Sequence, residues 1–182
     1  IWSCKTLDEG VPSSASRGVT YWESGEDKRI LYSSGNHLMA IDANTGDVIR
    51  SFGANGRINL NEGMRDDPTK ISVTLSTPGR IFKDLIIIGA RTPDAYGAPP
   101  GFIRAFHCKT GKLAWTFHTI PHPGEPGYET WPPEAYKYAG GVNCWAGLSI
   151  DSNRGMVFLA LGSSSYDYYA ADRKGENLFA NC

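Results

Sequence analysis

Residues 38–52 read LMAIDANTGDVIRSF, and residues 103–117 read IRAFHCKTGKLAWTF. The two stretches are one phrase written twice. Each opens with residues that alternate as a half-buried strand does. Each then turns, through Asp42-Ala43-Asn44-Thr45-Gly46 or His107-Cys108-Lys109-Thr110-Gly111, and leaves in a second alternating run. Gly46 and Gly111 fall where a short hairpin with a bulge needs a positive φ, which glycine adopts without a Cβ penalty. The phrase therefore predicts a β-hairpin at both places. Its recurrence predicts a repeat architecture, with a sandwich as the alternative on periodicity alone.

Outward from the hairpins, further strands are predicted. In the first unit they are Arg17 to Trp22, Arg29 to Ser33, His37 to Ile41 and Val48 to Phe52. In the second they are Val73 to Ser76, Leu85 to Gly89, Phe102 to Phe106 and Leu113 to His118. Val142 to Ile150 and Met156 to Leu161 begin a third, joined by the turn Asp151-Ser152-Asn153-Arg154-Gly155. Leu85-Ile86-Ile87-Ile88 is apolar throughout, as a strand buried on both faces requires. Four strands per unit, joined by tight turns, is how a β-propeller is written. Three long insertions interrupt the units: Arg91 to Gly101, Pro121 to Pro133 and Ser163 to Gly175. Loops of that length in a compact fold tend to carry function.

Composition agrees. The chain has 182 residues, enough for a core, with 21 Gly, 11 Pro and 12% aromatic residues, the balance of an all-β chain with many turns. A net charge of −1 gives no basic footprint for nucleic acid. No apolar run reaches membrane-spanning length. Cys4, Cys108, Cys144 and Cys182 stand too far apart for a CxxC or CxxCH pattern, which argues against a zinc centre or attached haem on these residues. They read as buried thiols rather than disulfides. His118 and His122 are four apart, but Pro121 and Pro123 exclude a regular helix between them. That spacing therefore predicts no zinc site. The opening Ile1-Trp2-Ser3-Cys4-Lys5-Thr6 matches Ala114-Trp115-Thr116-Phe117-His118-Thr119, and Asn177 to Cys182 reads as the approach to another strand. Both ends predict a piece of a longer chain.

Several blocks resemble the quinoprotein dehydrogenases, the propeller enzymes that use pyrroloquinoline quinone (PQQ). They are AIDANTG at 40–46, AFHCKTGKLAW at 105–115, RGVTYW at 17–22, GARTPD at 89–94, NCWAGLSIDSNRGMVFLALG at 143–162 and DYYAADRKGENLFAN at 167–181. They cover nearly the whole chain, and the likeness is nearest to the glucose dehydrogenase-like branch. The resemblance implies an all-β β-propeller fragment: about three four-stranded blades of an eight-bladed parent, with units at about 1–52, 53–119 and 120–182, the last incomplete. It also implies that the Trp closing each repeat packs between blades. Trp2 and Trp115 fit that role. Arg50 stands in the equivalent place of the middle copy, where its guanidinium could stack on a neighbour.

The same resemblance implies a site. PQQ is a planar polyanionic quinone, and binding it calls for a flat apolar floor, cationic partners and a hard cation held by oxygen. Trp145 is the expected floor, with Asn143 beside it. Arg17 is expected to pair with a cofactor carboxylate and Thr77 to hydrogen-bond the cofactor. Asp94, in GARTPD, is the expected acidic ligand for Ca²⁺ or Mg²⁺. Ser163 stands where many relatives carry a ligand Asn. Each has a plainer reading beside it: a core Trp, a surface Arg, a strand-end Thr, a capping Asp. Tyr166, Tyr168 and Tyr169 would line a sugar-binding mouth or pack the rim.

Two departures bear on substrate. Val11 and Pro12 stand where methanol-type members carry adjacent cysteines, and Ser13 where glucose-type members can carry a His. The family's catalytic Asp is expected beyond Cys182, so no base is assigned. The implied parent is a periplasmic bacterial enzyme, with any membrane association through segments outside this chain. It would oxidise a sugar or alcohol and pass electrons to a quinone or cytochrome, the remaining propeller blades completing the ring. The rival readings are a non-catalytic propeller scaffold and a sugar-binding β domain. Convergence of Arg17, Asp94 and Trp145 would favour the enzyme over the scaffold.

Overall fold

The computed structural model describes Trp2 and residues 16–182. Two antiparallel meanders dominate. The first joins β1 (Thr20–Ser24), β2 (Asp27–Ser34), β3 (His37–Asp42) and β4 (Arg57–Asn59) in chain order. The second joins β5 (Arg80–Phe82), β6 (Leu85–Ile88), β7 (Ile103–His107) and β8 (Leu113–Phe117) in the same way. Two smaller pairs follow. β9 (Gly140–Gly141) pairs with β12 (Ser164–Ser165), and β10 (Leu148–Asp151) with β11 (Met156–Leu159). Among the described residues, helix is confined to two short 3-10 turns, Tyr128–Thr130 and Ala135–Lys137.

The repeated phrase folds the same way twice. The Gly46 amide donates to the Asp42 carbonyl at 2.8 Å, and the Gly111 amide to the His107 carbonyl at 2.7 Å. Both glycines take positive φ, +82° and +72°. The copies then differ. After Gly111 the chain runs straight into β8. After Gly46 it makes one bridge, Val48 to Ile41, and leaves the sheet. Gly53 and Gly56, at φ +56° and +88°, turn it back, and Arg57–Asn59 takes the remaining edge of β3. The fourth strand of this sheet is therefore 57–59 and not Val48 to Phe52, and the unit extends past residue 52. Phe52 instead drops fully buried into the core.

Alternation along β6 explains its unbroken apolar run. Ile86 and Ile88 face a first core with Trp22, Leu31, Leu38, Phe52 and Val73. Ile87 faces a second core with Ile103, Ala105, Ile120, Val142 and Leu161. The second sheet is thus packed on both faces. Cys108 and Cys144 are buried free thiols, and burial pushes the Cys108 thiol up to about 12. Cys182 is free and exposed; Cys4 lies outside the described residues.

The Trp-docking reading has a structural counterpart. The Trp2 indole N–H donates to the Ala43 carbonyl at 3.2 Å, and its ring covers Gly46, where a Cβ would stand 2.5 Å from Cε3. In the second copy the space over Gly111 is taken by Gly53, whose amide nitrogen would lie 2.7 Å from an added Cβ, and by Ile58. Arg50 is exposed. Backbone and Ile58 therefore fill the contact that a Trp makes at the first copy. Gly46→Ala would combine a strained φ with this clash. We expect it to cost about 2 kcal/mol in urea denaturation, and an unchanged midpoint would refute the docking contact.

Candidate functional site

The stretch 142–150 is a strand only from Leu148 onward. Val142 takes φ +51° and Gly147 φ +106°, so the extended run breaks and Asn143, Cys144 and Trp145 lie on a loop between β9 and β10. Two glycines of the preceding unit seat this loop. A Cβ on Gly89 would stand 2.6 Å from the Cys144 carbonyl oxygen, and one on Gly101 would stand 2.3 Å from Asn143 Cβ. The Gly162 amide holds the loop from the other side, donating to the Asn143 carbonyl at 3.0 Å.

Trp145 is 48% exposed, which excludes the core-Trp reading. It stands between two concavities. On one side is a cavity of about 290 Å³ lined by Trp145, Asn143, Asp94, Ser163, Arg91 and Asp167, among others. On the other is a hollow of about 660 Å³ whose lining includes Arg17, Thr77, Arg80 and Phe158. Arg17 joins the two: its Cζ lies 5.5 Å from the centroid of the Trp145 ring, within cation–π range. Ser76 fastens both residues. Its carbonyl accepts from the Arg17 amide at 3.1 Å, and its hydroxyl donates to the Trp145 carbonyl at 2.8 Å.

Four of the six expected residues thus share one cavity, and the other two line its neighbour. Asp94 and Ser163 lie on the same side of Trp145. The Ser163 hydroxyl donates to Asn181 Oδ1 at 3.0 Å. Asn143 Nδ2 donates to Thr92 Oγ1 at 2.9 Å, while its Oδ1 is buried with no hydrogen-bond partner. Sequence reasoning missed Asp167. Burial pushes its carboxyl up, the Asp94 charge adds to the rise, and Arg173 opposes it. Its signal was faint: one Asp within an aromatic loop, far in sequence from Asp94. Val11, Pro12 and Ser13 lie outside the described residues.

The donors fit a hard cation. Carboxylate, amide and hydroxyl oxygens gather at one cavity, one amide oxygen lacks a partner, and two carboxylates repel until a positive charge lies between them. Among the described residues, no helix is long and apolar enough to cross a membrane.

Stacked four-stranded meanders with a Trp closing the repeat define a β-propeller-type chain. All of it, residues 1–182, matches the family described as PQQ: glucose/ethanol/alcohol dehydrogenase, β-propeller domain. The chain belongs to that family. It is similar to the quinate/shikimate dehydrogenase (quinone) of Acinetobacter baylyi, 37% identical over 138 residues, covering 75% of this chain and 17% of the relative. The dehydrogenase subunit of alcohol dehydrogenase (quinone) from Gluconacetobacter polyoxogenes is 31% identical over 94% of this chain and 24% of its own. Among solved structures, the quinohemoprotein alcohol dehydrogenase of Comamonas testosteroni superposes with a TM-score of 0.66 at 23% identity, over 90% of this chain and 24% of that one. The chain spans about a quarter or less of the length of these relatives.

Proposed function

We propose that this chain carries part of the cofactor bed of a periplasmic PQQ-dependent dehydrogenase that oxidises a sugar or alcohol and passes electrons to a quinone or cytochrome. Residues 1–182 would form about three blades of an eight-bladed ring. The observation that carries the reading is the half-exposed Trp145, with Arg17 over its ring and Asp94, Asn143 and Ser163 in the adjoining cavity. A scaffold has no need for that convergence.

Each residue has a part that its chemistry suits. Trp145 offers a flat apolar surface and excludes water from one face of a planar ligand. Arg17, exposed over the Trp145 ring, pairs with a carboxylate through its fork of donors. Thr77 offers a hydroxyl from the same hollow. Asp94, Asp167 and the free Asn143 Oδ1 would hold Ca²⁺ or Mg²⁺, with Ser163 at its edge. When bound, PQQ supplies the two-electron acceptor that no side chain provides.

The test is a PQQ titration of the full-length protein, with Ca²⁺ or Mg²⁺, followed by Trp fluorescence and by dye reduction across sugars and alcohols. Trp145→Ala is expected to weaken binding roughly tenfold or more, as loss of about 1.5 kcal/mol of ring stacking requires. Absence of PQQ binding by the unaltered protein would remove the enzyme reading.

A further inference from the structure

His118 follows directly on β8, and His122 and Glu125 lie in the turn after it. Two bonds close that turn. The Glu125 amide donates to the His122 carbonyl at 3.0 Å, and the His122 amide donates to Glu125 Oε2 at 2.7 Å. Gly124, at φ +88°, makes the bend. The two prolines that forbid a helix here build a turn instead, and it brings the histidines together. Their rings stack 3.9 Å apart with 12° between planes. Glu125 Oε1 lies 2.7 Å from His118 Nδ1. Phe102 meets the His118 ring edge-on at 4.6 Å, and Tyr136 lies 5.0 Å from the His122 ring.

We propose that His118, His122 and Glu125 form a binding site for a divalent transition-metal ion of the zinc class, separate from the oxygen-rich cavity beside Trp145. Two imidazoles and one carboxylate are a donor set that zinc takes while keeping a fourth position open. Calcium and magnesium prefer oxygen alone. The ligating atoms already lie within 4.8 Å of one another. A tetrahedral ion would hold them roughly 3.4 Å apart, so on binding His122 would turn out of the stack and the His118–Glu125 contact, now 2.7 Å, would open to admit the ion. The nearby cations do not compete for these nitrogens: Arg65 is paired with Asp66, and Lys137 with Glu134.

The open position faces a cavity of about 370 Å³ lined by both histidines, Phe102, Arg65, Tyr136 and Lys137. All three ligands lie at the start of the insertion that follows β8, a segment whose later part is tied to residues 177 and 178 by the Asn177 amide on the Thr130 carbonyl and the Trp131 indole on the Leu178 carbonyl. The ion would fasten it to the end of the second sheet. This inference does not depend on the dehydrogenase reading.

The test is a Co²⁺ titration of the chelator-treated, full-length protein, with excess Ca²⁺ present to fill oxygen sites. One equivalent should bind with the visible d–d absorption of tetrahedral cobalt, and Zn²⁺ should displace it. Glu125→Gln, which preserves volume, and His122→Ala should each weaken it at least as much as the roughly 10–100-fold that loss of an outer-sphere partner costs. Asp94→Asn should leave it unchanged. Far-UV circular dichroism of each variant separates ligand loss from misfolding. No cobalt band, or a band that survives in both His122→Ala and Glu125→Gln, overturns the proposal.

Discussion

Gly101→Ala should lower stability by about 1–3 kcal/mol and cofactor affinity along with it. The added methyl would stand 2.3 Å from Asn143 Cβ, 2.4 Å from its Cα and 2.8 Å from its backbone nitrogen. Two of those three atoms are backbone, so no side-chain rotation relieves the contact. The loop bearing Asn143 and Trp145 must shift, and it is already fixed by Gly89 beneath Cys144 and by the bond from the Gly162 amide. A site that stacks a planar ligand and orients oxygen donors tolerates little displacement. Urea denaturation and PQQ titration of the same preparation give both readouts. Stability lost with affinity unchanged would mean that the loop relaxes without moving Trp145, and that the seat is structural only.

Why some of this was legible in the sequence is physical. The hairpins were visible because a turn that needs Gly at one position, flanked by alternating runs, has few other uses. The run Leu85 to Ile88 was visible because burial on two faces removes all polar positions. β4 and β5 were not visible. Each has only three residues, too few for alternation to register, and β4 depends on a glycine-driven excursion that returns the chain to an edge already in use. The loop 142–147 read as strand because Val142, Cys144 and Trp145 are strand formers. Their backbone is set instead by the clefts over Gly89 and Gly101, which no local propensity records.

The sites divide in the same way. Trp145, Asn143 and Asp94 stand in recognisable blocks. Asp167 joins them only in space, across a separation that one chain cannot reveal without its fold. His118 and His122 show the opposite fault. The spacing is visible, and the prolines exclude only a helix as the means of joining the two rings. A proline turn has its own way of placing side chains together.

Arg29→Ala should cost about 3 kcal/mol, near the low end for breaking a buried pair because Asp27 keeps some solvent contact. Arg29 is only 4% exposed. Its fork takes both Asp27 oxygens, at 2.7 and 2.8 Å. Its remaining nitrogen donates to the Cys108 and Lys109 carbonyls at 3.1 and 2.8 Å, and its Cζ lies 5.6 Å from the Trp22 ring. One guanidinium therefore ties β2 to the turn of the second hairpin, across the boundary between sheets. Lysine cannot replace it, since one ammonium cannot serve that fork and those carbonyls together. The hydrogen bond from Arg29 is the main cause that holds the Asp27 carboxyl below 3.8, with burial opposing it. A lowered folded value means that this part of the stability is full above the ordinary aspartate range and is lost as pH falls through the folded value. The gap between the protein and Arg29→Ala should therefore stay level from about pH 7 down to about pH 4 and narrow below it in chemical denaturation. A gap that stays constant would assign the stabilisation to the carbonyl bonds and the ring, leaving the ion pair neutral in effect.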